Sequence, residues 1–265
     1  MKSIIRWAGS KRSLLPELRT RVPEDVGTYI EPFAGSACLF FDVRPRRAIL
    51  SDLNLELINT YRAVRRNPEI VVQCFRRLRR GKNAYYRIRA IDPMQLSDAE
   101  QAARFLYLNR FCFNGLFRTN LKGKFNVPYG PPTKPLRVFE SDVLEASEIL
   151  RVAELTAEDF ETTIDSVEKG DFVYLDPPYV LNERRVFHQY LPGSFMRSDL
   201  ARLSTALEKI DTRGATFLLS YAESAEAKKL VAQWHHKLVW ARRNIAGFVG
   251  ARKGAVEILA SNRPL

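Results

Sequence analysis

Phe172-Val173-Tyr174-Leu175-Asp176-Pro177-Pro178-Tyr179 decides how this chain reads. The β-branched and aromatic run behind Gly170-Asp171 predicts a buried strand, and two consecutive prolines remove backbone donors, so pairing must stop at Asp176. The strand end then holds one carboxylate, fixed carbonyls and one aromatic ring. Open α/β sheets bind their ligands at that edge. Read alone, the four residues Asp176 to Tyr179 fit a plain strand-terminating turn equally well.

Upstream, Gly27-Thr28-Tyr29-Ile30-Glu31 predicts another strand, leading into Pro32-Phe33-Ala34-Gly35-Ser36-Ala37 and the helical run Cys38-Leu39-Phe40-Phe41. Strand, small-residue turn and helix form the entry to a nucleotide-type pocket. A single glycine is not the dinucleotide fingerprint. Glu31 would repel a pyrophosphate and suits a ligand bearing an ammonium or sulfonium group. Ala48-Ile49-Leu50-Ser51 predicts a further strand, and Asp52 follows roughly 20 residues after the first turn, where an acid can take both ribose hydroxyls. A solvated turn is the plainer reading of Asp52 by itself. Near the start, Trp7-Ala8-Gly9-Ser10-Lys11-Arg12 precedes a short helix, with Ser10 as its expected cap.

From Leu53 to about Tyr107 apolar residues recur at helical spacing, among them Leu57, Ile58, Tyr61, Val64, Phe75 and Leu78. Arg62, Arg65, Arg66, Arg76, Arg77, Arg79, Arg80, Lys82, Arg87 and Arg89 share one sign and are interleaved with Tyr85 and Tyr86. That combination favours nucleic-acid contact over a merely solvated face. Residues 108–130 follow, with turns at Asn114-Gly115 and Lys122-Gly123 and with Pro131, Pro132 and Pro135 stiffening the exit. Asn and Arg have forks that match adenine and guanine edges, so a hairpin entering DNA is one reading. A structural hairpin explains the turns too.

Strands are expected again over Leu150–Leu155 and at Asp159-Phe160, then a short helix and the strand that ends at Asp176. A loop carrying Phe187, Tyr190 and Phe195 leads to a helix over Ser198–Lys209, capped by Ser198. Thr216–Ser220, a helix near Ala225–Trp234, Lys237–Trp240 and Ala255–Ala260 complete an α/β sheet whose last two strands can pair antiparallel.

In 265 residues, 42 Lys and Arg against 30 Asp and Glu leave a net charge of +12, which points to a polyanionic partner, DNA or RNA first. The apolar fraction of 46% suffices for a core. Cys38, Cys74 and Cys112 are odd in number and lack a CxxC pair, against both a disulfide framework and a zinc site. A reducing, cytoplasmic setting is expected, and no apolar stretch approaches membrane-spanning length. The histidines, His188, His235 and His236, read as surface residues.

Taken together, the chain resembles the Dam-like (D12 class) N6-adenine-specific DNA methyltransferases. The likeness rests on Trp7-Ala8-Gly9-Ser10-Lys11, Glu31-Pro32-Phe33-Ala34-Gly35-Ser36, Ser51-Asp52, Asn114-Gly115-Leu116-Phe117-Arg118, Phe125-Asn126-Val127-Pro128-Tyr129-Gly130, Asp159-Phe160, Asp176 to Tyr179, and Arg242-Arg243. It implies a Rossmann-like S-adenosylmethionine-dependent methyltransferase sheet with a mostly helical target-recognition insertion. The catalytic part would be residues 1–55 and 147–265, the insertion 56–146. Trp7, Lys11, Glu31, Pro32, Phe33, Ala34, Gly35, Ser36, Asp52, Asp159, Phe160 and Asp176 would form the S-adenosylmethionine pocket. A flipped adenine would meet Asp176, Pro177, Pro178 and Tyr179. Asn114, Leu116, Arg118 and Pro128 would read bases of double-stranded DNA, Phe113 and Asn120 would shape the contact, and GATC is the implied site. Arg6 stands where close relatives often carry Lys, at a position that reads the first base. No metal, membrane or obligatory protein partner is expected. A sequence-specific DNA-binding protein on a degenerate methyltransferase fold is the rival from another class, and a methyltransferase with a different site the nearer one.

Overall fold

The computed structural model describes residues 3–120, 122–131, 137–179, 195–241 and 255–265. Five apolar runs form parallel strands: β1 (Tyr29–Glu31), β2 (Ala48–Ser51), β3 (Ala153–Thr156), β4 (Phe172–Leu175) and β5 (Thr216–Ala222). β1 and β4 are buried along their whole length, as parallel strands covered on both faces are. With β6 (His235–Ala241) and β7 (Ala255–Ser261) the sheet order is β3-β2-β1-β4-β5-β7-β6, and β7 runs antiparallel to both neighbours. This is a Rossmann-like sheet. Its order reverses between β1 and β4, where Tyr29 lies beside Phe172 and Ile30 beside Val173. Glu31 and the residues after Leu175 therefore meet at the topological switch point.

Side chains alternate across the sheet. Tyr29, Phe172, Tyr174 and Leu218 join one buried cluster with Phe40 and Phe41 of α2 (Cys38–Val43); Ile30, Val173, Leu175 and Phe217 join the other with Leu203, Leu207 and Ile210 of α9 (Arg197–Thr212). Between β2 and β3 the described chain is mostly helical: α3 (Leu55–Arg66), α4 (Pro68–Arg77), α5 (Lys82–Ala90), α6 (Asp98–Phe111) and α7 (Arg137–Leu150). The predicted helical stretch is broken where Pro68 and Pro93 enter and where Gly81 takes φ 103°. The helical segment shares the first cluster with the sheet, since Leu57, Tyr61 and Val64 of α3 and Leu106 of α6 pack into it.

Several sequence expectations change in detail. Leu150 ends α7 and strand pairing begins only at Ala153, because Val143, Ala146 and Leu150 bury the same helix face through its last turn. Asp159 is the N-cap of α8 (Phe160–Asp165) and not part of a strand. α9 starts at Arg197, ahead of the expected cap Ser198, since the Met196 N–H donates to Asp199 Oδ2 at 2.7 Å. Ser10 precedes a 3-10 turn (Lys11–Leu14), but its hydroxyl bonds Ser36 Oγ at 3.0 Å and leaves that turn uncapped. Pro132, Pro135, Phe187, Tyr190, His188 and Arg242-Arg243 lie outside the described residues.

Candidate active site

β4 ends where the prolines forbid pairing, and this sets Asp176 at the mouth of the switch point with its side chain 20% exposed. Lys11, 3% exposed, comes from the N-terminal segment and binds Asp176 Oδ1. Ser220 Oγ of β5 donates to the same oxygen at 3.2 Å. Oδ2 has no protein partner among the described residues. Lys11 Nζ also donates to Gly9 O and to Tyr179 Oη, each at 3.1 Å, so its three N–H bonds each have an acceptor. Burial alone would lower the Lys11 pKa, but Asp176, Tyr179 and Glu257 outweigh it and hold the ammonium above its ordinary value. Burial raises Asp176, opposed by Lys11 and Ser220.

Glu31, at the end of β1, is 2% exposed. Its Oε1 accepts from Tyr29 Oη and from the Phe40 N–H at 3.0 Å, which ties it to the start of α2. Burial pushes this carboxyl up to about 8 against those two bonds, and no cation pairs with it among the described residues. The following turn is tight. Ala34 N–H donates to Ser51 O at 2.8 Å, and Gly35 takes φ 45° with its Cα against the Trp7 indole, where a Cβ would lie 2.8 Å from Cδ1. Asp52 Oδ2 accepts from the Gly35 N–H and Oδ1 from the Asn54 N–H, both at 2.9 Å. Burial raises its pKa against those two bonds. Asp159 Oδ1 caps α8 through the Glu161 N–H and takes Arg202 at 2.6 Å. Phe160, buried, packs with Phe33 at 5.2 Å between ring centroids, and Phe195 closes on both.

These residues gather along the C-terminal strand ends, so the structure unites Glu31 to Ser36, Asp52, Asp159, Phe160 and Asp176 on one sheet edge. Trp7 lies across that edge but stacks on Phe117, with centroids 5.3 Å apart and planes at 22°. Glu31 finds its contacts with Tyr29 and Phe40, which the sequence reading missed. It also missed Ser220, Arg202 and Glu257. Glu257 had a signal: a single charge inside the apolar run Val256-Glu257-Ile258-Leu259.

The predicted DNA readers occupy a second surface. Beyond α6 the chain makes a 3-10 turn (Phe113–Gly115) in which Asn114 and Gly115 take φ 56° and 65°. A two-stranded ribbon follows, bridged at Cys112 with Tyr129 and at Thr119 with Phe125. Phe113, Asn114, Arg118, Asn120 and Pro128 are exposed and Leu116 is half-buried. Arg118 donates Nε to Asn126 Oδ1 at 2.7 Å, leaving both terminal nitrogens. Asn120 Oδ1 instead receives the Lys122 and Lys124 N–H groups, each at 3.0 Å, and so holds the loop. Arg6 joins this surface, since a Cβ on Gly115 would lie 2.6 Å from its Cδ. Its backbone is fixed from both sides by Asn109, which accepts from the Arg6 N–H at 2.9 Å and donates to Arg6 O at 2.7 Å.

The arginine run divides. Arg62 donates to Leu155 O and Arg65 to Ala153 O, both on β3, so these two dock α3 on the sheet. Arg89 bonds Asn126 O and Val127 O and lies 4.8 Å over the Tyr86 ring. Arg76 pairs with Glu140. Arg79, Arg80, Lys82 and Arg87 line one basic concavity with Asn83.

A family model described as D12 class N6 adenine-specific DNA methyltransferase matches residues 7–245. The chain is 35% identical to the Type II methyltransferase M1.LlaDCHI of Lactococcus lactis subsp. cremoris, across 99% of this chain and 95% of that protein. It is 31% identical to the retron Ec67 DNA adenine methylase of Escherichia coli, covering 98% and 91% of the two chains. With the DNA adenine methylase of Escherichia coli strain K12 the identity is 30%, covering 99% and 96%.

Proposed function

Because the chain belongs to the D12 class of N6 adenine-specific DNA methyltransferases, we propose that it methylates adenine N6 in double-stranded DNA at GATC, taking the adenine out of the helix into the Asp176–Tyr179 site. The observation that carries this reading is the two-sided state of Asp176: Oδ1 is held by Lys11 and Ser220, while Oδ2 accepts no hydrogen bond among the described residues. Inside the base stack N6 is out of reach, so an extruded base is required. Oδ2 accepts one N6–H and the Pro177 carbonyl the other. Both bonds draw the nitrogen lone pair out of ring conjugation. Tyr179 supplies a stacking face, and a fixed carboxylate at this point stabilises the positive charge that develops on N6. Positioning supplies the rest of the rate.

The residues present fit S-adenosylmethionine. A buried Glu31 with no cationic partner among the described residues suits a positively charged ligand, and Gly35, without a Cβ, lets the turn close against the Trp7 indole at the same strand edge. When bound, that cofactor supplies the methyl group. We assign its pocket to Trp7, Lys11, Glu31 to Ser36, Asp52, Asp159 and Phe160, with Asp176 bordering it. Asp52 addresses the ribose while tying the turn, and Phe33 and Phe160 offer apolar faces. Residues 56–146 carry target recognition, with Arg6, Asn114, Leu116, Arg118 and Pro128 as base readers and Phe113 and Asn120 shaping the surface.

Incubation with duplexes and isotopically labelled cofactor, followed by mapping of the modified base, tests the reading. Wild type should label adenine N6 within GATC, and Asp176→Asn, which keeps an acceptor for the buried Lys11, should lose transfer in a single turnover while the protein still folds. Near-normal single-turnover transfer by that variant, or label on another atom, would overturn it.

A further inference from the structure

Glu257 sits in β7, inside the sheet, and is 4% exposed. A carboxylate there is costly to bury unless paired and hydrogen-bonded. Its surroundings supply a hydrogen bond to one oxygen and a cation near the other. Glu257 Oε1 accepts from Tyr179 Oη at 3.2 Å, and Oε2 lies 3.7 Å from Lys11 Nζ. Tyr179 Oη in turn accepts from Lys11, so the phenol is a donor on one side and an acceptor on the other. Its ring also meets Tyr221 edge-on, with centroids 5.3 Å apart. The chain Asp176, Lys11, Tyr179, Glu257 thus joins the carboxylate after β4 to a strand on the far side of β5, which lies between β4 and β7.

We propose that Glu257 is a positioning residue for methyl transfer: by holding the Tyr179 hydroxyl and the Lys11 ammonium together, it fixes where the Tyr179 ring stands, and so the face on which the adenine stacks. This deepens the reading above and rests on it. Backbone geometry alone does not settle that position, because rotation about the Cα to Cβ bond offers several staggered wells that swing the whole ring. The bond from Oη to Glu257 pins the far end of the ring, and the edge contact with Tyr221 bears on its plane. The carboxylate also supplies the charge that, with Asp176, keeps Lys11 an ammonium in a buried site. Lys11 without Glu257 would still bind Asp176, so the carboxylate after β4 keeps its own partners and the loss falls on Tyr179.

The test is a double-variant cycle on the full chain with Glu257→Gln, Tyr179→Phe and both together. Tyr179→Phe keeps the ring and deletes the hydroxyl. Each single variant should slow single-turnover transfer by roughly tenfold to a hundredfold, as displacements from the reactive geometry do. Cofactor affinity should hold. The double variant should be no slower than the slower single, because both changes act on one bond, Gln replacing its charged acceptor by a neutral one and Phe deleting its donor. A second readout needs no transfer: in a cofactor-free complex, a 2-aminopurine in place of the target adenine should be less quenched in Glu257→Gln than in wild type. Losses that multiply in the double variant, a wild-type rate for Glu257→Gln, or unchanged quenching would overturn the proposal. If Glu257→Gln does not fold, a wild-type rate and quenching for Tyr179→Phe overturn it equally. Absence of N6-adenine product from wild type itself would sink the function assigned above, and is seen before any variant is made.

Discussion

Glu31 shows how far burial can move the pKa of one side chain. Its folded pKa is pushed up to about 8 from an ordinary value of 4.5. Between those values the folded chain holds a proton that the unfolded chain releases, so stability is greatest below the lower value and declines as pH rises towards the upper one. The melting temperature of cofactor-free protein should therefore fall between about pH 5 and pH 8, and Glu31→Gln should flatten part of that fall. Burial of Asp52 and Asp176 adds to it with the same sign. An identical slope in Glu31→Gln would assign the decline elsewhere. A positively charged cofactor must also expel the Glu31 proton, so its affinity should rise with pH, with proton release visible by titration calorimetry in buffers of different ionisation enthalpy.

Elements decide what an arginine does. Arg62 on α3 gives two bonds to one carbonyl of β3. Arg62→Ala should cost about 1–3 kcal/mol of stability and leave the salt dependence of DNA binding alone. Arg118 stands on the ribbon, its Nε anchored by Asn126. Arg118→Ala should lose about 1–3 kcal/mol of discrimination at one base pair, read from methylation rates on every single-base variant of GATC. Arg87 borders a concavity of like charges. Its removal should weaken all sequences alike and reduce the salt slope by about one contact. Equal losses on every variant for Arg118→Ala would move it to the phosphate class. Sequence could not make this division. The run from Arg62 to Arg89 reads as one charged stretch because spacing tells which helix face a residue occupies, not which carbonyl waits opposite. The same limit hid Arg202 and Ser220, whose partners lie 43 and 44 residues away. By contrast, the strand ending at Asp176 and the turn at Gly35 were legible, because prolines and a lone glycine act locally.

At the scale of the molecule, the helical segment and the sheet share a core. Phe41 of α2 and Tyr61 of α3 pack with ring centroids 6.2 Å apart, and Tyr61 Oη donates to Gly35 O at 2.9 Å. Phe41→Ala should cost about 3–5 kcal/mol, and the two parts should melt in one transition, not in sequence. Separate transitions by calorimetry would contradict the shared core. The pattern of apolar residues predicted both halves, yet it contained nothing about their joining.

The N-terminal segment makes that joining consequential. Within six residues, Arg6 is fixed to α6 and rests on Gly115, Trp7 lies between Phe117 and Gly35, and Lys11 grips Asp176. Under the proposed assignment, so short a connector joins the two ligand sites, and a preference of one ligand for one setting of Trp7 would be felt by the other. Reciprocity follows: the factor by which cognate DNA tightens the cofactor must equal the factor by which the cofactor tightens cognate DNA. We predict that Trp7→Ala drives both factors towards one, as measured by titrating DNA with and without a cofactor analogue that cannot donate its methyl group. If they stay at the wild-type value, the connector transmits nothing; if they collapse, recognition of the site and retention of the cofactor are a single free energy seen from two ends.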